Sequence, residues 1–179
     1  ASRDCPSGLL VRDVAKGGPP VMVGGTVEHS GHGIRQTSQI ASLGINVSAA
    51  YTAHEGYTEI AGTVTDTQGR NRAVTVYMAI PVAEEAWKWW DSVAIARTDA
   101  GDSGEVANLE AGMGYGLCGS HSKYPLGALS WPDRGGLTLA IRMDEPAVHR
   151  IAYNARLHSF YLAIDFGLMP ENRADGRPL

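Results

Sequence analysis

Apolar and polar positions alternate with a period of two through most of this chain. In "LGINVSAAYTA" (43–53), Ile45, Val47, Ala49 and Tyr51 fall on one side, and Asn46, Ser48 and Ala50 on the other. That is the pattern of a strand with one buried face. The turn "HEG" leads into "YTEIAGTVTD" (57–66), and "TQGRN" leads into "RAVTVYMAIPV" (72–82), where Val74, Val76, Met78 and Ile80 alternate with Thr75, Tyr77 and Ala79. Three consecutive antiparallel strands joined by Gly-containing turns predict a meander. The second half follows the same grammar. "YPLGALSW" and "LTLAIRM" flank the hairpin turn "PDRGG", and "AVHRIAYN" pairs with "SFYLAIDFGL" across "ARLH". Near the start, "GLLVRDV" and "PVMVGGTVEH" add strands, while "GIRQTSQIASL" fits either a short helix or a strand. About nine or ten strands without long helical periodicity predict an all-β antiparallel β-sandwich.

The rhythm breaks between Ala83 and Ser122, a long irregular segment rich in Gly, Ser, Asp and Ala, of the kind that covers a sheet or forms a functional loop. The fold expected is therefore an antiparallel sandwich, jelly-roll-like in outline, with one long irregular loop. Residues 1–170 read as a single domain, and the polar stretch 171–179 as a tail or linker.

Composition limits the function classes. A chain of 179 residues, 44 % hydrophobic and 19 % charged, is ordinary for a globular domain. The net charge of −4, without a Lys/Arg run, argues against nucleic acid or an anionic membrane as partner. No apolar run approaches the ~18 residues of a membrane span. The opening "ASRDCPSG" lacks the basic and apolar regions of a signal peptide, so secreted and cytoplasmic locations both stay open. Cys5 and Cys118 fit either one disulfide or two unrelated thiols.

The candidate chemistry centres on "AEEAWKWWDSV" (83–93), where Trp87, Trp89 and Trp90 crowd together. If the segment is extended, Trp87 and Trp89 share a face and Trp90 takes the other. Large aromatics of this kind pack a core, or they form a platform for a sugar ring. Trp131 and Tyr124 are further aromatic candidates, and Asp91 and Lys88 are the polar partners for ligand hydroxyls. "EHSGHG" and "CGSH" supply His29, His32, Cys118 and His121, donors of the right type for a tetrahedral metal though without zinc-motif spacing. The carboxylates Asp91, Asp144, Glu145 and Asp165 show no pairing that would mark an acid and a base. No Gly-x-Ser-x-Gly elbow or phosphate-cradling loop occurs, and no motif calls for a cofactor.

The stretches "RNRAVTVYMAIPVAEEAWKWWDSV", "SKYPLGALS" and "GGLTLAIRMDEPAVHRIAYNARLHSFYLAIDFGLMPE" resemble the galactose-mutarotase-like supersandwich domains that precede the catalytic barrel in some glycoside hydrolases. The resemblance implies a module packing on a catalytic domain of the same polypeptide and helping to shape its cleft. It transfers no catalytic residue. The function expected is a carbohydrate-associated, non-catalytic module that binds glycan or supports a glycosidase domain. A small β-sandwich enzyme (epimerase, lyase or metal-dependent) and a structural domain docking another protein are the alternatives.

Overall fold

The computed structural model describes residues 5–31, 33–82, 87–98, 104–107 and 121–169. Among these no helix occurs, and the strands are β1 (Gly8–Asp13), β2 (Val21–Met22), β3 (Thr26–Ser30), β4 (Gly33–Ile40), β5 (Ile45–His54), β6 (Tyr57–Asp66) and β7 (Arg72–Pro81). They continue with β8 (Lys88–Trp90), β9 (Ala96–Arg97), β10 (Glu105–Ala107), β11 (Leu126–Trp131), β12 (Gly135–Ala140), β13 (His149–Asn154) and β14 (Ser159–Leu168). They form three open sheets, with strand orders β10-β13-β14-β7-β1-β2, β12-β11-β8-β9 and β3-β4-β5-β6. The count exceeds the nine or ten strands expected, because β8, β9 and β10 lie in the segment where alternation stops and "PVMVGGTVEH" divides into β2 and β3. Strands of two or three residues are too short to show a period.

The chain divides into two compact units, one of residues 1–10 and 76–165, the other of residues 11–75 and 166–179. In the first unit two sheets face each other as a sandwich. From one sheet, Trp89 and Leu129 enter a buried cluster with Val106, Ile151, Tyr153 and Phe160 of the other. Registers explain which residues go inside. Leu129 lies opposite Trp89 on one side and Leu137 on the other. Ile151 lies opposite Leu162, and Tyr153 opposite Phe160. Antiparallel partners share a face, so these rows deliver their apolar side chains together.

In the second unit, β3 to β6 make a four-stranded meander. "GIRQTSQI" resolves as strand β4, paired along its whole length with β5 from Gly33↔Thr52 to Ile40↔Ile45. The expected meander of "LGINVSAAYTA", "YTEIAGTVTD" and "RAVTVYMAIPV" needs a correction. The first two pair as the β5–β6 hairpin, but β7 lies between β14 and β1 in another sheet. The cause is visible at the β6–β7 connection. Asp66 accepts hydrogen bonds from the backbone N–H groups of Gln68 (3.1 Å) and Arg70 (3.0 Å), turning the chain away from β6. Arg72 then bridges Asp66 and Asp13 of β1 (2.8 and 2.6 Å). Both faces of β7 are covered: the adjacent residues Val74 and Thr75 point to opposite sides, and both are buried.

Candidate functional site

The tryptophan cluster is built by a three-strand register. β8 pairs with β11 so that Trp90 faces Ala128, Trp89 faces Leu129 and Lys88 faces Ser130, and β9 flanks it with Arg97 opposite Trp89 and Ala96 opposite Trp90. Alternation then separates the indoles. Trp87 and Trp89 turn inwards. Trp87 meets Tyr153 edge-on at 4.6 Å between ring centroids, and Trp89, wholly buried, meets Phe160 at 6.0 Å and 89°. Neither offers an exposed ring face to a ligand, so these two named binding candidates serve as core. The indole N–H of Trp89 donates to Asp91 (2.9 Å), which also binds Arg97 (2.6 Å). Asp91 is thus engaged in anchoring the buried indole and the β8–β9 turn, a different part from the ligand contact expected of it.

Trp90 takes the opposite face. It is half-buried, and its indole N–H donates to Ser130 Oγ (2.8 Å). Around it the registers place small or polar side chains: Ala128 and Ala96 beside it, Thr138 beyond Ala128, and exposed Lys88 next along its own strand. Gly136, opposite Ser130, is also exposed. Among the described residues, the result is one large aromatic ring on a sheet face of small side chains, with its N–H held by a hydroxyl and Lys88 on the same face. Ser130 and Thr138 were not singled out in the sequence. Their outward parity could be read from Leu129, Leu137 and Leu139, but their nearness to Trp90 depends on the β8–β11 pairing.

The other candidates are dispersed. Trp131 shares the inward parity of Leu129 and packs against the core, its buried indole nitrogen without a hydrogen-bond partner among the described residues. Tyr124 is half-buried just before β11; Lys123 Nζ stands 5.7 Å from its ring centroid, and its carbonyl contacts His149 Nε2 at 3.2 Å. His29 lies exposed in β3, opposite Ile34. His121 is half-buried ahead of β11, while His32 and Cys118 lie outside the described residues. Among the described residues no three His, Cys, Asp or Glu side chains gather as a metal-holding group. Cys5 is free, its thiol directed at the carbonyl oxygens of Leu157 (2.9 Å) and His158 (3.1 Å).

Two polar networks escaped the sequence reading. On the sheet face opposite the first unit's core, Tyr161 donates to Glu105 (3.2 Å), which is ion-paired with Arg150. Burial raises the Tyr161 pKa, with Tyr77 adding to the rise and Arg150 opposing it, so the phenol stays a proton donor to Glu105 at neutral pH. This network ties β10 to β13 and β14. In the second unit Arg72, 5 % exposed at its side chain, sits between the equally secluded Asp13 and Asp66 and also donates to the Leu43 carbonyl (2.6 Å). Burial alone would raise both aspartates. Arg72 and nearby backbone N–H groups outweigh it, lowering Asp13 and holding Asp66 at about 2. Arg72 is correspondingly raised. Every charge here is paired, which marks a structural clamp.

No protein-family model matches this chain, and comparison with curated proteins and with solved structures gives no match either.

Proposed function

We propose that this protein is a carbohydrate-associated, non-catalytic β-sandwich module, and that the exposed face of the β12-β11-β8-β9 sheet holds the face of a sugar ring against Trp90. The observation carrying this reading is the half-buried Trp90, whose neighbours among the described residues are side chains too small to cover it, with Lys88, Ser130 and Thr138 on the same face. An aromatic surface flanked by a few polar groups is what recognition of a pyranose requires: C–H groups stack on the ring, and hydroxyls meet the polar rim. The hydrogen bond to Ser130 holds the indole in one orientation before any ligand arrives, which reduces the ordering cost of binding. In a longer polypeptide the same face would present glycan to, or brace, a neighbouring glycoside hydrolase domain, as the supersandwich resemblance implies.

The test is a tryptophan-fluorescence titration against a panel of soluble polysaccharides, with pull-down on insoluble ones. Wild-type protein responds to at least one glycan, and Trp90→Ala weakens that binding about tenfold, the equivalent of about 1.4 kcal/mol. Because Trp90 is only half-buried, the variant loses less stability than Trp89→Ala, which empties a wholly buried site, and far-UV circular dichroism checks that it is folded before binding is compared. Silence across the whole panel, or equal binding by Trp90→Ala, refutes the glycan reading.

A further inference from the structure

The meander β3-β4-β5-β6 ends on β6, and among the described residues no strand borders its outer edge. An edge strand carries a row of outward N–H and C=O groups, which proteins shield with brevity, Lys, Pro, a bulge or a cover. Among the described residues β6 has none of these from Ile60 to Thr65. It is ten residues long, contains neither Pro nor Lys, and is exposed along most of its length. Its register with β5 runs unbroken from Ile45↔Asp66 to His54↔Tyr57, so no bulge twists the edge away. β3, at the other edge, has half the length.

The face that β6 shares with Tyr51 and Val47 is also unfinished. Towards Ile40 and Ile45 it is buried. Towards the far end Ile34 and Ile60 are each 38 % exposed, and Val27, on the same face by register, is 52 % exposed. An apolar face that continues to an open edge fits an additional strand carrying apolar residues at alternate positions.

The strand that fits is β6 itself. We infer that two copies of this chain pair through β6, antiparallel about a twofold axis at Gly62, making one continuous sheet. In that register Ile60 lies opposite the partner's Val64, and Val64 opposite the partner's Ile60, both on the apolar face. Ala61 lies opposite the partner's Thr63 on the solvent face. Glu59 falls opposite the partner's Thr65, and Asp66 opposite the partner's Thr58, so no like charges meet. Moving the axis to Thr63 sets Ile60 against the partner's Asp66. Moving it to Ala61 sets Ile60 against the partner's Gly62 and loses the apolar pairs. The contact is isologous and closes after two copies.

Sedimentation equilibrium over a wide concentration range, read together with amide hydrogen exchange, tests the seam. Wild-type protein shifts from monomer to dimer with concentration, and amides of Ile60–Thr65 gain protection in parallel. The exposed positions Ala61 and Thr63 face one another across the axis, so charge placed there reports the register. Ala61→Lys with Thr63→Lys opposes Lys to Lys at two places and leaves a monomer, its dimer constant at least tenfold weaker. Ala61→Lys with Thr63→Glu alters the same positions but creates two opposite-charge pairs, and it dimerises. A wild-type monomer whose β6 exchange ignores concentration overturns the inference. So does dimerisation that is equal in the two charge variants.

Discussion

At the scale of single residues, the strongest constraint is the Asp13–Arg72–Asp66 clamp. One guanidinium satisfies two carboxylates that have almost no contact with water, so each charge depends on the others. Removing the cation in Arg72→Ala leaves two buried, uncompensated anions, and a loss of about 3–5 kcal/mol is expected in urea unfolding at neutral pH. The pH dependence gives a sharper check. In the folded chain both aspartates titrate below their unfolded value near 3.9, Asp66 at about 2. Their stabilisation is therefore complete above about pH 4 and is lost on acidification below it, the Asp66 share as the pH falls through about 2. In Arg72→Ala the sign reverses. Burial without a partner raises the carboxylate pKa values, so acidification towards pH 4 protonates them and stabilises the variant while leaving the wild type flat. Parallel slopes in the two proteins would contradict the clamp.

At the scale of elements, the sandwich of the first unit depends on how closely its two sheets approach. Gly127 of β11 shares the inward parity of Leu129, and a Cβ there would meet Ile151 Cγ2 at 2.8 Å and the Trp89 ring at 3.2 Å. Neither neighbour is the free end of a flexible side chain: Ile151 and Trp89 are wholly buried. Gly127→Ala should therefore cost about 1–3 kcal/mol as overpacking, visible as a melting temperature lowered by several degrees. Gly136→Ala is not an adequate control, since a Cβ there would crowd the Leu129 carbonyl; Gly24, with open space around it, is. The strands themselves were largely legible. "YPLGALSW" and "LTLAIRM" pair as the expected hairpin, although Gly135 and Gly136 of the expected turn already belong to β12, which ends at Ala140; "AVHRIAYN" pairs with "SFYLAIDFGL" from His149↔Ile164 to Asn154↔Ser159. Alternation reports which face a residue takes, but it carries no information on which strand lies alongside. That is why the split between Trp89 and Trp90 followed from parity, whereas Ser130 as partner of Trp90 did not. The same limit produced the misplacement of β7, whose hydrophobic pattern suits a strand in either sheet. The Arg72 clamp was hidden for a related reason. Asp66 and Arg72 lie close together at one turn, but Asp13 is 59 residues from Arg72, and nothing in the pattern of alternation links it to them.

At the scale of the whole chain, connectivity divides the sheets by the separation of their strands in sequence. β4, β5 and β6 are joined by short turns and pair in chain order, so each loop closes at small entropic cost. The six-stranded sheet is different, for it brings β7 beside β1, some sixty residues earlier, and beside β14, some eighty later. Non-local pairings return their free energy only after long loops have closed, which makes them slow. Folding should therefore protect the meander first. In pulse-labelled hydrogen exchange during refolding, amides of Val47–Thr52 and their partners in β6 gain protection in an early phase. Amides of Leu9–Val11 and Phe160–Ala163 follow in a slower one. The Asp66–Arg72 clamp links the two stages, because its carboxylate is set by the β6–β7 turn while its second partner, Asp13, arrives only with β1. Arg72→Ala should then slow the second phase and leave the first unchanged. Simultaneous protection of both sets in wild-type protein would show instead that the distant strands are already paired when the meander forms.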